Sequence, residues 1–191
     1  MAQDLPILPF PSTADFRNWL TDNHVSSPGI WLKIAKKGSG QPSVTYAEAL
    51  DVALCFGWID GQKKAFDDAH WLQRFTPRRA GSKWSEINVG RVIALIASGE
   101  MHPAGMSQVE AAKADGRWTS AYAGMATIGV PDDLAAALRA NPEAAAFFET
   151  LNRQNRYAVL YRIQDARKPE TRQARIERFV AMLGRGETLY P

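Results

Sequence analysis

The sequence predicts an α+β fold: a small antiparallel sheet packed by helices, followed by a C-terminal helical bundle. Three observations predict it. Ile30-Trp-Leu-Lys-Ile-Ala35 alternates in the two-residue rhythm of a half-buried strand. Two further strand-like runs, Trp58–Phe66 and His70–Thr76, are separated only by Asp67-Asp68-Ala69, which is hairpin spacing. From Pro131 onward the pattern is helical throughout. The expected division is an α+β domain over residues 1–126 and a helical module over 127–191.

Residues 1–11 read as an extended lead-in, because Pro6, Pro9 and Pro11 block a helix. A helix is expected over about 13–22, with Thr13 as N-cap and Phe16, Trp19 and Leu20 on one face. Ser26-Ser27-Pro28-Gly29 is turn chemistry. After the strand at 30–35, Lys36–Ser43 is a loop. Thr45 and Glu48 then form a capping box for a helix from 46 to about 56. That helix is apolar on most sides, as a helix buried against a sheet should be. Gly57 stops it.

Beyond the hairpin, Ser82 or Ser85 is expected to cap a helix reaching about 97, with Ile87, Val92, Leu95 and Ile96 facing inward. Gly99 ends it, and Pro103 opens another helix to about 114. Residues 119–130 read as a linker. Four helices follow: one from Pro131, one from Asn141-Pro142, one over about 155–166, and one over about 169–183 that stops at Gly184.

Composition narrows the function classes. The 191 residues are 46% hydrophobic and 23% charged, with a net charge of +3, which is globular and not disordered. Apolar runs fall short of the roughly 18 residues a membrane-spanning helix needs. The opening MAQDLPILPFPSTADF has no basic residue before Arg17, unlike a signal peptide. A single cysteine excludes an internal disulfide and fits a reducing compartment, and the expected location is the cytoplasm. Phosphate-binding glycine loops and the nucleophile elbow are absent as motifs. His24, His70 and His102 have no partners at metal-ligand spacing, so neither metal nor cofactor is expected. Cys55, among apolar helix residues, reads as a packing thiol.

Three candidate sites remain. The first gathers Trp58, Asp60, Arg74, Thr76, Arg78, Trp84, Asn88 and Trp118 at the open end of the hairpin. Indoles offer flat apolar faces, and guanidiniums offer planar forks for anions. A pocket there would take a small anionic or aromatic ligand. Asp60 beside Arg74 or Arg78 reads as a turn-fixing ion pair or as a general acid or base. The second candidate is the run Lys36-Lys37-Gly38-Ser39-Gly40 before a helix N-terminus, which could hold an anion. The third is the basic set Arg167, Lys168, Arg172, Arg175 and Arg178. Residues 151–178 hold eight basic and three acidic side chains. A solvated helix surface with Glu170 and Glu177 interleaved is the simpler reading of that strip, and a net charge of +3 does not by itself argue for nucleic acid.

The run Tyr46-Ala-Glu-Ala-Leu-Asp-Val-Ala-Leu-Cys-Phe-Gly-Trp-Ile-Asp-Gly61 resembles the bacterial YdeI/OmpD-associated (bacteriocin-protection) family. So do Arg74-Phe-Thr-Pro-Arg-Arg79, Trp84-Ser85, Asn88 and Asp115-Gly-Arg-Trp118. The tail, from Val130-Pro131-Asp132 through Ala166-Arg-Lys-Pro-Glu-Thr-Arg172 and Arg175-Ile176, is similar to that family's C-terminal module. The resemblance spans nearly the whole chain. It implies protection against bacteriocins or membrane-acting peptides, and it transfers no catalytic residue. The leading expectation is a cytoplasmic, stress- or resistance-associated protein that binds a small ligand. The alternatives are a metal-independent enzyme using Asp60, with Arg78 and Asn88 orienting substrate, and an adaptor working through the basic C-terminal helices.

Overall fold

Short-range capping chemistry sets where most elements begin. The computed structural model describes residues 4–191, so the first three residues of the expected lead-in lie outside the described residues. Helix α1 (Thr13–Asn23) is capped by Ser12, one residue earlier than expected. From Ser12 the third helical residue is Asp15, whose carboxylate accepts the Ser12 amide at 3.1 Å while Ser12 Oγ accepts the Asp15 amide at 3.2 Å. From Thr13 the equivalent residue would be Phe16, which cannot reciprocate. Helix α2 (Tyr46–Cys55) carries the predicted box: Glu48 accepts the Thr45 amide at 2.9 Å, and Gly57 ends the turn at φ 74°.

The sheet has the order β1-β2-β4-β3. Strands β2 (Ile30–Ala35), β3 (Trp58–Ala65) and β4 (His70–Pro77) are antiparallel, as expected. Strand β1 (Ile7–Pro9) adds to β2 in parallel, within the segment read as an extended lead-in. The prolines that obscured it are tolerable because β1 is an edge strand, and the Trp31 amide bonds to Pro6 O at 2.9 Å. A bulge interrupts β3 between Asp60 and Lys63. The buried Gln73 amide covers it, donating to Gly61 O at 2.9 Å and Gln62 O at 3.3 Å. One sheet face buries Ile30, Leu32, Ile34 and Phe75, and Phe75 packs against Phe16 of α1, the two rings lying 5.8 Å apart. Each such side chain contributes about 1.5–3 kcal/mol of burial.

Helix α3 (Glu86–Ala97) buries Asn88, Val92 and Leu95. Ile87 and Ile96, expected inward, are 56% and 37% exposed. The buried stripe is set by spacing: 88, 92 and 95 recur at i, i+4 and i+7, while Ile87 and Ile96 sit about 100° to either side. Helix α4 (Pro103–Ala114) follows.

The chain divides into two compact units, one of residues up to Trp84 with Asn88–Ser120, the other of Ser85–Ile87 with Ala121–Pro191. The second unit holds α5 (Asp132–Arg139), α6 (Pro142–Thr150), α7 (Arg153–Gln164) and α8 (Pro169–Gly184) around Leu134, Phe148, Val159, Ile163, Ile176 and Phe179. Asn155, 2% exposed, straps the C-terminal tail to α7: its Oδ1 accepts the Leu189 and Tyr190 amides and its Nδ2 donates to Tyr190 O. Replacing Asn155 by leucine leaves three backbone groups without these partners. The expected cost is about 1–3 kcal/mol, read as lost hydrogen-exchange protection at the Leu189 and Tyr190 amides.

Candidate functional site

The eight residues expected around one hollow fall into three places. Trp58 begins β3 and is 1% exposed. Its indole N–H donates to His24 O at 3.1 Å, and its ring meets Trp19 edge-on at 5.8 Å. Asp60, two residues on and paired with Phe75, shares the core side of the sheet, where the Tyr46 hydroxyl of α2 donates to its carboxylate at 2.7 Å. Arg74 and Thr76 are on the opposite face, with Arg74 paired to Trp31 and Thr76 to Ile59.

The third place lies past β4. The Arg78 guanidinium stacks 3.6 Å from the centre of the Trp84 ring and donates to Lys83 O at 3.2 Å. Trp118 closes edge-on over Trp84 at 4.9 Å. Arg78, Trp84 and Asn88 are all buried, and the Trp84 indole N–H finds no hydrogen-bond partner among the described residues. Arg117 is buried alongside, gripping Asp115 at 2.7 Å and Ser82 O at 2.9 Å. Here the indoles of Trp84 and Trp118 and the Arg78 guanidinium pack on one another. Alternation of side chains across the sheet puts Trp58 and Asp60 on one face and Arg74 and Thr76 on the other, while Arg78, Trp84 and Trp118 stack on one another past β4.

An open cleft of about 480 Å³ lies at the other end of the sheet, lined by Lys36, Lys37, Lys63, Lys64, Ala65 and Trp71. The strand register builds it. Ala35, ending β2, pairs with His70, and Ala65, ending β3, pairs with Trp71. Both neighbours of the first turn of β4 therefore end in a pair of lysines. Lys36 and Lys37 follow β2 directly, and Lys63 and Lys64 sit in β3. Lys63 Nζ lies 4.2 Å over the Trp71 ring, and Lys64 Nζ lies 4.1 Å over Trp31. Lys36 Nζ donates to Asp67 O at 2.8 Å, which turns it toward the hairpin tip. Tyr46 packs 6.1 Å from Trp71, so the Tyr46–Asp60 pair borders the same indole. Lys64, over Trp31, faces the other side of the sheet, so the ammonium groups of Lys36, Lys37 and Lys63 are the ones beside the half-buried Trp71 indole, and they suit a ligand that is anionic at one end and flat at the other.

Sequence reading singled out Lys36-Lys37 and passed over Lys63-Lys64. The available signal was the second lysine pair itself, placed one hairpin away. At the start of α2 the Glu48 carboxylate accepts the Thr45 amide and Thr45 Oγ1 accepts the Glu48 amide, so this helix end already faces a carboxylate.

The remaining chemistry is structural. Burial pushes the Cys55 thiol pKa up, and the nearby Arg17 opposes this without cancelling it, so the thiol stays protonated. Among the described residues, no group of three His, Cys, Asp or Glu is arranged to hold a metal ion, and no helix is long and apolar enough to cross a membrane. In the basic strip, Arg172 donates to Ile163 O at 2.9 Å and to Asp133, and Arg175 donates to Arg162 O. These two arginines cap the end of α7, and the Arg172 hydrogen bond holds the Asp133 carboxyl below its usual range.

Residues 8–108 match the family model described as a domain of unknown function, DUF8412. Residues 127–186 match the one described as bacteriocin-protection, YdeI or OmpD-associated. The match to the latter family is thus confined to the C-terminal part, whereas the sequence resemblance extended over nearly the whole chain. No curated protein and no solved structure matches the chain.

Proposed function

For a chain that belongs to the DUF8412 family through residues 8–108 and is of the YdeI/OmpD-associated type through residues 127–186, we propose a small-molecule-binding role centred on the lysine cleft. The ligand presents an anionic group to Lys36, Lys37 and Lys63 and a flat apolar face to Trp71. The observation that carries this reading is the register that brings Lys63 of β3 and the Lys36-Lys37 run after β2 beside one indole. Trp58, Arg78, Trp84, Asn88 and Trp118 then act as its scaffold. The description of the C-terminal family supports a resistance-associated role, and the single buried Cys55 is compatible with work in the cytoplasm.

Phenyl phosphate tests the cleft directly. It should quench tryptophan fluorescence on binding, and its affinity should fall as salt rises, because exposed charges are screened over about 10 Å at 0.1 M. The double variant Lys36→Glu/Lys63→Glu should weaken binding by at least about tenfold, or about 1.4 kcal/mol, with unchanged stability. Equal binding by the wild type and this variant would defeat the proposal.

A second reading rests on the Tyr46–Asp60 pair. A tyrosine hydroxyl donating to a carboxylate beside a binding cleft is a workable acid–base couple. Asp60→Asn separates the two readings: it leaves phenyl phosphate binding intact if the cleft only binds, and abolishes turnover if the pair does chemistry.

A further inference from the structure

The junction of α1, α2 and α4 holds two imidazoles that the binding reading does not use. His102 is the N-cap of α4, and its Nδ1 accepts the Ala104 amide at 3.2 Å. Accepting a proton donor requires a lone pair, so the cap exists only with Nδ1 unprotonated. His24 ends α1, with its Nδ1 2.8 Å from Leu20 O. A carbonyl can only accept, so this Nδ1 carries hydrogen, and the bond survives when the ring gains a second proton. The two rings are 4.9 Å apart at 72°, and Phe56 packs against both, at 5.4 Å from His24 and 4.7 Å from His102.

We propose that His24 and His102 form an acid-released clasp on the N-terminus of α4. Protonation of His24 is tolerated, since its carbonyl partner stays bonded. Protonation of His102 removes the cap and places positive charge against the positive end of the α4 dipole. With His24 also charged, two imidazolium rings repel at contact distance. Burial and then His24 lower the His102 pKa, in agreement with this geometry.

The other charged groups at this junction are Arg17, Glu100, Asp51 and Asp22. Arg17 of α1 pairs with Glu100 at 3.2 Å and lies 3.9 Å from Cys55 Sγ of α2. Asp51 of α2 pairs with Arg91 at 2.6 Å, and Asp22 of α1 is exposed. What the clasp holds is mechanically specific. The His102 amide donates to Cys55 O at 3.2 Å, the last helical residue of α2, so releasing the cap loosens α4 from the α2–β3 turn.

The direction with pH follows. A histidine whose folded pKa lies below its ordinary value of 6.5 contributes stability that is complete above that value and is lost as pH falls through the lower folded one. Hydrogen exchange at the Ala104 amide, corrected for intrinsic rates, should show protection dropping at least about tenfold between about pH 7.5 and about pH 5. His102→Asn supplies a cap that does not titrate, and its Ala104 protection should change less than about twofold over the same range. An equal acid loss in wild type and His102→Asn would overturn the proposal. If that variant does not fold, nuclear magnetic resonance titration of the wild-type ring decides. A neutral Nε2–H tautomer titrating below the ordinary histidine value supports the clasp, and an Nδ1–H tautomer or a value at or above it overturns it.

Discussion

Gly105→Ala should cost about 3 kcal/mol or more, although alanine normally favours a helix over glycine by about 1 kcal/mol. Gly105 sits in the first turn of α4, and a Cβ built on it would lie 2.1 Å from Cys55 O, 2.7 Å from Cys55 C and 2.8 Å from Leu54 O. All three are backbone atoms at the end of α2, so no rotamer change relieves the clash. Gly57 shows the reciprocal approach, since its Cβ would meet Ala104 O at 3.0 Å. The two helix ends are in backbone contact, and α4 must either shift or detach. Gly90 of α3 is the control: nothing lies within 4 Å of its Cβ position, so Gly90→Ala should stabilise by about 0.5–1 kcal/mol. All six tryptophans belong to the unit that contains α4, so urea unfolding followed by tryptophan emission reports that unit without the helical one. A Gly105→Ala midpoint equal to wild type would mean the α2–α4 contact is looser than the structure shows.

Elements whose signals are local were legible in the sequence. The Thr45–Glu48 box, the hairpin of β3 and β4, the proline at the start of α4 and the four C-terminal helices depend on neighbours within a few residues. Strand β1 was not legible, because an edge strand can contain prolines that would exclude an interior one. The candidate site was legible only in part for the same kind of reason. Lys36-Lys37 stood out as a loop feature, but its meeting with Lys63 requires the pairing register of both neighbours of β4, which no local pattern encodes. The indoles and arginines at the hairpin's open end attracted attention by residue type. Whether an arginine faces solvent or stacks on Trp84 depends on tertiary packing, and Arg78 and Arg117 were both turned inward.

Trp58→Ala should be the most destabilising of the tryptophan substitutions, at about 3–5 kcal/mol, while leaving the lysine cleft chemically untouched. The indole is enclosed, and its removal leaves a cavity beside Trp19 and takes the donor from His24 O. That second loss reaches the clasp, because His24 ends α1 through the same residue whose carbonyl Trp58 holds. Trp58→Phe separates the two contributions. It restores most of the volume but no N–H donor, so it should recover more than half of the stability and still leave the His24 carbonyl unpartnered, at about 1 kcal/mol. Binding is the discriminating measurement. At a temperature where Trp58→Phe is folded, phenyl phosphate affinity should match wild type within about twofold, because the ligand's flat face is assigned to Trp71 and its charge to the lysines. A large affinity loss in Trp58→Phe without a matching loss of fold would return the ligand to the hairpin's open end. The opposite pattern, affinity lost only in the lysine variant and stability lost only at Trp58, assigns scaffold and site to opposite ends of one sheet.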